Sequence, residues 1–202
     1  MLQVNNLNCC RGDRCLWQNL NFSVDQQQLL LVTGQNGAGK TSLLRILAGL
    51  GRFYQGQVNW RKVSIAQLKS DYQQQIHFLG HSNAIKNELT VEENLLLNSG
   101  YSVKKSQVHA IIKLLELTPC LKRFGQELSQ GQKQKVALAR LFLKFAPLMI
   151  LDEPFAHLDS SMIEKLQMML ADYLSQGGIL ILSTHMPLTN SSLTNAALKL
   201  EL

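Results

Sequence analysis

Gly34-Gln35-Asn36-Gly37-Ala38-Gly39-Lys40-Thr41 is the stretch on which the reading of this chain turns. It matches G-x-x-x-x-G-K-[ST], and its surroundings are the ones that pattern requires. Before it, Gln28 to Thr33 is a short apolar run; after it, Leu43, Leu44, Ile46, Leu47 and Leu50 fall at helical spacing. Strand, glycine loop and helix follow one another. Glycines let backbone N–H groups wrap an anion without Cβ clashes, and the helix N-terminus adds partial positive charge. Gly34, Gln35, Asn36, Gly37, Ala38 and Gly39 are therefore the expected cradle, continued into Lys40, Thr41 and Ser42. Lys40 is suited to neutralise β- and γ-phosphates, and the Thr41 hydroxyl to reach a Mg²⁺ ion.

Downstream, Leu148-Met149-Ile150-Leu151-Asp152-Glu153-Pro154 runs four apolar residues straight into two acids. Ligands of open parallel sheets bind at the carboxyl ends of strands, so both acids should face the phosphates. Asp152 suits a metal, because Mg²⁺ prefers hard oxygen ligands. Glu153 is a candidate general base for an attacking water, a role typically worth about 10²–10⁴-fold. An amphipathic helix follows, with Met162, Ile163, Leu166, Met169, Leu170, Tyr173 and Leu174 on one face, and Gly177-Gly178 ends it. A second buried strand spans Ile179 to Leu182. Strands apolar throughout, alternating with helices, imply an α/β fold with a parallel sheet covered on both faces.

Between these halves, Asn83 to Lys144 has few β-branched runs and two helical patterns, Val108, Ile111, Ile112, Leu115 and Val136, Leu138, Ala139, Leu141, Phe142. This reads as a helical lobe. At the start of its second pattern stands Leu128-Ser129-Gln130-Gly131-Gln132. Ser129 is a natural N-cap, and Gly131 lets an anion approach the first-turn N–H groups, making a second phosphate-sized site.

The chain has 202 residues, 46% hydrophobic and 17% charged, enough for one sizeable core and at odds with a disordered tail. Its longest aliphatic runs are four residues, against the roughly 20 needed to cross a bilayer. The first residues carry neither a basic start nor an apolar stretch of signal-peptide length, so the expected compartment is the cytosol. Cys9, Cys10, Cys15 and Cys120 form no CxxC pair and are expected as free thiols. The net charge of +6 is a mild excess spread along the chain and does not call for a nucleic-acid partner.

The glycine cradle, the L-S-x-G-Q segment, the apolar D-E-P segment, Ala156-His157-Leu158-Asp159 and His185 occur in that order. Together they resemble the nucleotide-binding subunit of an ABC transporter over nearly the whole chain. The resemblance implies a P-loop NTPase with a RecA-like parallel sheet core, an antiparallel β subdomain and an inserted α-helical subdomain. Residues 1–82 and 145–202 would form the RecA-like and β lobe, and 83–144 the helical lobe. It implies ATP and Mg²⁺ as cofactors, and a head-to-tail homodimer in which each ATP is buried between Lys40 of one subunit and Ser129, Gly131 and Gln132 of the other. Asp159 would lie at that interface, and His185 would hydrogen-bond the γ-phosphate. With Lys40 and Glu153 it completes the expected catalytic set.

Two positions depart from the general pattern. The glutamine expected nine residues before the Thr of Leu89-Thr90-Val91-x-x-Asn94-Leu95 is His81, which can donate to water or metal but whose charge depends on pH. No aromatic residue for adenine stacking stands near Cys10-Arg11-Gly12, so the stacking expected there is either weak or supplied by Arg11. Leu79-Gly80-His81 with Ile85-Lys86, and Gly177-Gly178-Ile179-Leu180-Ile181-Leu182-Ser183-Thr184-His185-Met186-Pro187-Leu188, closely resemble ATPase subunits of bacterial cytochrome c maturation systems; Ala84 stands where that group tends to have glycine. That finer resemblance implies a peripheral subunit on the cytoplasmic face of the inner membrane, partnered by integral-membrane permease subunits, whose ATP turnover drives heme handling. Permease contacts are expected from about Ser82 to Glu93. Spacing and composition do not themselves show heme, since no C-x-x-C-H is present. The ATPase of a lipid, peptide or drug exporter shares every catalytic motif. DNA-repair and translation members of the superfamily need a long coiled coil or two tandem domains, and a P-loop kinase leaves Leu128 to Gln132 unexplained.

Overall fold

The computed structural model describes residues 1–11, 14–53, 55–97 and 103–202. Two long strands, β1 (Leu2–Arg11) and β2 (Arg14–Val24), pair antiparallel with Leu2 opposite Val24. β3 (Leu29–Thr33) and α1 (Lys40–Leu47) flank the glycine loop. β4 (Gln55–Trp60) pairs with β1, and the short β5 (Val63–Ser64) completes an antiparallel sheet of order β2-β1-β4-β5. Two single-turn helices, α2 (Ile65–Leu68) and α3 (Ser70–Gln73), lead to β6 (Ile76–Leu79). Then come α4 (Val91–Leu96), α5 (Lys105–Leu114) and α6 (Gln130–Phe142) before β7 (Leu148–Asp152). The chain finishes with α7 (Ser160–Ser175), β8 (Ile179–Ser183), α8 (Ser191–Asn195) and β9 (Ala197–Glu201). The second sheet is parallel throughout, in the order β6-β7-β8-β3-β9.

The apolar runs of the sequence are explained by this parallel sheet. Every residue of β7 and of β8 is buried. Because side chains alternate across a strand, Leu148, Ile150, Ile179 and Ile181 join Leu43, Leu44 and Leu47 of α1 and the antiparallel sheet in one apolar cluster. Met149, Leu151, Leu180 and Leu182 join Leu138 of α6 and Leu166 and Leu170 of α7 in another. The sheet is therefore a wall between two cores, which a continuous apolar strand alone can serve.

The strands expected at 28–33, 148–151 and 179–182 are β3, β7 and β8. The helix after the glycine loop ends earlier than its apolar spacing suggests. Gly49, at φ 70°, lets the chain turn left-handed, Leu50 N–H returns to the Arg45 carbonyl, and Leu50 is left 52% exposed. The cysteine expectation needs a larger correction. Cys10 and Cys15 face each other in the β1–β2 register and their sulfurs are joined in a disulfide, whereas Cys9 and Cys120 are buried free thiols. Five residues of separation hide a pair that only a hairpin brings together. No helix among the described residues is long and apolar enough to cross a membrane.

Candidate functional site

The glycine loop leaves the sheet at the carboxyl end of β3 and enters α1 through Gly39, whose φ is 103°. A Cβ at Gly39 would lie 2.7 Å from Nε1 of Trp17, so conformation and space both demand glycine there. No side chain caps α1, and its first turn carries no acid. Its first N–H groups are thus left for an anion, as a helix N-terminus favours. Lys40 is buried, and its Nζ donates to the carbonyls of Gly34 at 2.7 Å and Gln35 at 3.1 Å.

A cavity of about 380 Å³ opens beside this loop. Asn36, Gly37, Gly39, Lys40, Thr41 and Ser42 form one wall. Asp152 at the carboxyl end of β7, Glu153 just after it, His81 and His185 beyond the ends of β6 and β8, and Leu16 of β2 complete the lining. Gly34, Gln35 and Ala38 face a neighbouring cavity shared with Glu201 and Leu202. Gly12 and the Arg11 side chain, the expected adenine neighbourhood, lie outside the described residues.

Asp152 is held from both sides. Thr41 Oγ1 donates to its Oδ2 at 2.7 Å, and Ser183 Oγ to its Oδ1 at 2.5 Å. Ser183 stands in the Gly177 to Leu188 segment with no site role expected of it; the pairing of Asp152 with Ser183 across β7 and β8 brings it to the site. A hydroxyl and a carboxylate side by side are the hard oxygen donors that Mg²⁺ takes, so the residues present fit that ion.

Glu153 follows in a left-handed conformation, φ 49°, with its N–H donating to Ser183 O at 3.0 Å. The His185 N–H donates to Glu153 Oε2 at 3.3 Å, and His185 Nε2 stands 3.4 Å from Oε1. Oε1 is shielded from solvent and has no hydrogen-bond partner among the described residues. The Glu153 side chain lines the cavity, where a carboxylate can accept a proton from a water held beside a phosphate. The segment after His185 is anchored by Gln167 of α7, a buried amide that accepts from Thr189 N at 2.9 Å and Asn190 N at 3.0 Å. That anchor, too, was invisible in a helix read for its apolar positions.

Ser129, Gly131, Gln132 and Asp159 do not line this cavity. Ser129 caps α6 in a reciprocal box: its Oγ accepts from Gln132 N at 3.2 Å, and Gln132 Oε1 accepts from Ser129 N at 3.0 Å. Gly131 abuts the loop after β7, and a Cβ there would lie 2.6 Å from the His157 carbonyl oxygen. Asp159 caps α7, accepting from Met162 N at 2.9 Å and Ser161 Oγ at 2.8 Å, and these bonds hold its carboxyl below the usual range.

The profile of the ABC transporter family matches residues 17–156. The "Cytochrome c biogenesis ATP-binding export protein CcmA" of Yersinia pestis is 42% identical over 190 residues, covering 93% of this chain and 87% of the relative. A structure described as the ATP binding subunit of an ABC transporter superposes with a TM-score of 0.82 at 28% identity, over 92% of this chain and 80% of that one. A dimeric ATP-binding cassette in a post-hydrolysis state, bound to ADP and Pi, shares the fold with a TM-score of 0.82 at 21% identity, over 100% of this chain and 96% of that one.

Proposed function

The chain belongs to the ABC transporter family and is an ABC-type ATPase, and from that premise we propose that it powers a membrane complex handling heme in cytochrome c biogenesis. One observation carries the chemical part of the reading: Glu153, whose carboxylate touches both the N–H and the ring of His185, lines one cavity with Asp152 and the glycine cradle. Phosphoryl transfer to water asks mainly for positioning and charge neutralisation. The cradle N–H groups and Lys40 bind the β- and γ-phosphates, with the ammonium turning from the Gly34 and Gln35 carbonyls toward them. Glu153 accepts a proton from the attacking water, and His185 holds the γ-phosphate beside it. Thr41 and Asp152, the latter directly or through water, would hold a Mg²⁺ ion, which would supply positive charge to the phosphate oxygens. Ser183 keeps the Asp152 carboxylate aimed at that position.

Two copies would meet head to tail, with Ser129, Gly131 and Gln132 of each facing the nucleotide of the other and Asp159 at the contact. This accounts for a signature segment that stands clear of its own subunit's cavity. The relative bound to ADP and Pi is itself dimeric. The division into 1–82 with 145–202 and an inserted 83–144 is supported by the pairing of Ile76 with Leu148, since strands neighbouring in the sheet bracket the insertion. Its first loop, where a permease contact is proposed, is fixed by Asn94, whose side chain bonds both the N–H and the carbonyl of Lys86. His81 links that loop to the nucleotide cavity. The heme assignment is supported by the cytochrome c biogenesis relatives and by the Leu79-Gly80-His81 and Gly177 to Leu188 segments, and with it goes a proposed peripheral location on the cytoplasmic face of the inner membrane.

Glu153→Gln is the decisive variant. Turnover of Mg-ATP should fall at least about 10²-fold, while a fluorescent ATP analogue still binds and a stable dimer accumulates in size exclusion. Parental turnover in this variant would remove Glu153 from its role. Affinity capture from membranes tests the cargo: recovery with the permease of a lipid, peptide or drug exporter would overturn the heme assignment.

A further inference from the structure

Gln134, in the second turn of α6, is 4% exposed, and its Nε2 donates to the carbonyl oxygen of Pro154 at 2.8 Å. A buried amide without such a bond is costly, so the contact fixes the side chain as firmly as it fixes its acceptor. Pro154 directly follows Glu153, and as a proline it offers the turn a carbonyl but no N–H. Glu153 needs outside restraint: its φ of 49° is a conformation that costs a non-glycine residue on the order of 1–3 kcal/mol. On the amino side the restraint comes from the Glu153 N–H bond to Ser183. On the carboxyl side it comes from the Ala156 N–H, which donates to the Glu153 carbonyl at 3.2 Å, and from Gln134. Three residues earlier on the same helix face, Gly131 closes on the His157 carbonyl, so α6 holds the loop after β7 at two points one turn apart.

We infer that Gln134 is a positioning residue for hydrolysis: by holding the Pro154 carbonyl it keeps the Glu153 carboxylate aimed at the attacking water. The inference rests on the ATPase reading above and adds to it a residue that touches neither nucleotide nor metal. A displacement of about 1 Å at a reacting group can cost about 10²-fold in rate. Gln134→Met, which keeps length and volume but removes the donor, should lower the single-turnover rate of the full chain at saturating Mg-ATP about ten- to a hundredfold. Affinity for the fluorescent ATP analogue should stay within about twofold, because the phosphate cradle is untouched. Gln134→Glu separates positioning from packing. Burial raises the pKa of a carboxyl, and the protonated acid can donate to the Pro154 carbonyl where the carboxylate cannot. Its rate relative to the parental chain should therefore recover as pH falls from about 8 to about 6, while the Gln134→Met ratio stays flat. Parental rates in Gln134→Met, losses that merely follow the folded fraction, or a pH-independent Gln134→Glu ratio would each overturn the inference. Absence of turnover in the parental chain would instead overturn the ATPase reading on which it stands.

Discussion

Gly131→Ala tests the closeness of α6 to the loop after β7, and the two sides of that argument give opposite signs. In an unobstructed helix the change should stabilise by about 0.5–1 kcal/mol, because alanine has less backbone freedom to lose. Here the new Cβ would arrive 2.6 Å from the His157 carbonyl oxygen, whereas ordinary contact begins near 3.4 Å. Helix and loop must part by most of an ångström, and overpacking of that kind costs about 1–3 kcal/mol. The expected net loss is about 1–2 kcal/mol, or a midpoint lowered by roughly 2–8 °C for a chain of this size. Thermal unfolding of the nucleotide-free protein, followed by circular dichroism, reads this without interference from any effect on ATP. An unchanged or raised midpoint would mean that the helix and the loop are not in contact in solution.

Other perturbations probe different links. Ser129→Arg places a large cation where the second subunit's phosphates are proposed to sit, so Mg-ATP should no longer drive Glu153→Gln chains into dimers, although each chain still binds nucleotide; dimers at parental yield in light scattering would contradict the shared site. Tyr173→Phe removes a hydroxyl that lies 2.9 Å from Ala146 O and 3.1 Å from Ile179 O, and leaving buried carbonyls without it should cost about 1–3 kcal/mol in urea unfolding. Asp159 caps α7 with a carboxyl held below its ordinary pKa, so its contribution is present above the unfolded value and fades as pH falls through the folded one. Asp159→Asn keeps a capping oxygen without that titration. Parental stability should therefore drop relative to this variant below about pH 4, and parallel pH profiles would remove the link.

The parts legible from sequence are those whose chemistry is local. A cradle of glycines before a helix, and an apolar run ending in acids, announce themselves because each needs particular residue types in consecutive positions. The β1–β2 hairpin does not. Its register shifts between Val4 and Leu7, Leu7 and Cys9, and Cys9 and Cys10, so the two-residue rhythm of a strand is broken three times. The Cys10–Cys15 bond was hidden for the same reason. Ser183, Gln134 and Gln167 escaped because each is one polar residue inside an apolar or amphipathic pattern, and its partner lies on an element distant in the chain. Leu50 misled in the opposite direction: it keeps helical spacing past a glycine that has already turned the chain.

The pairing of Ile76 with Leu148 has a mechanical corollary. Everything from the end of β6 to the start of β7 departs from and returns to adjacent strands, roughly 4.8 Å apart. Leu138 of that insertion shares an apolar cluster with Met149, Leu151, Leu180 and Leu182 of the sheet, so turning about the attachment would have to reshape that packing, and sliding bodily away would pull both strands from the sheet. Gly131 and Gln134 stand in that insertion against the loop that carries Glu153, so any rotation of the insertion would be felt first at the hydrolytic turn.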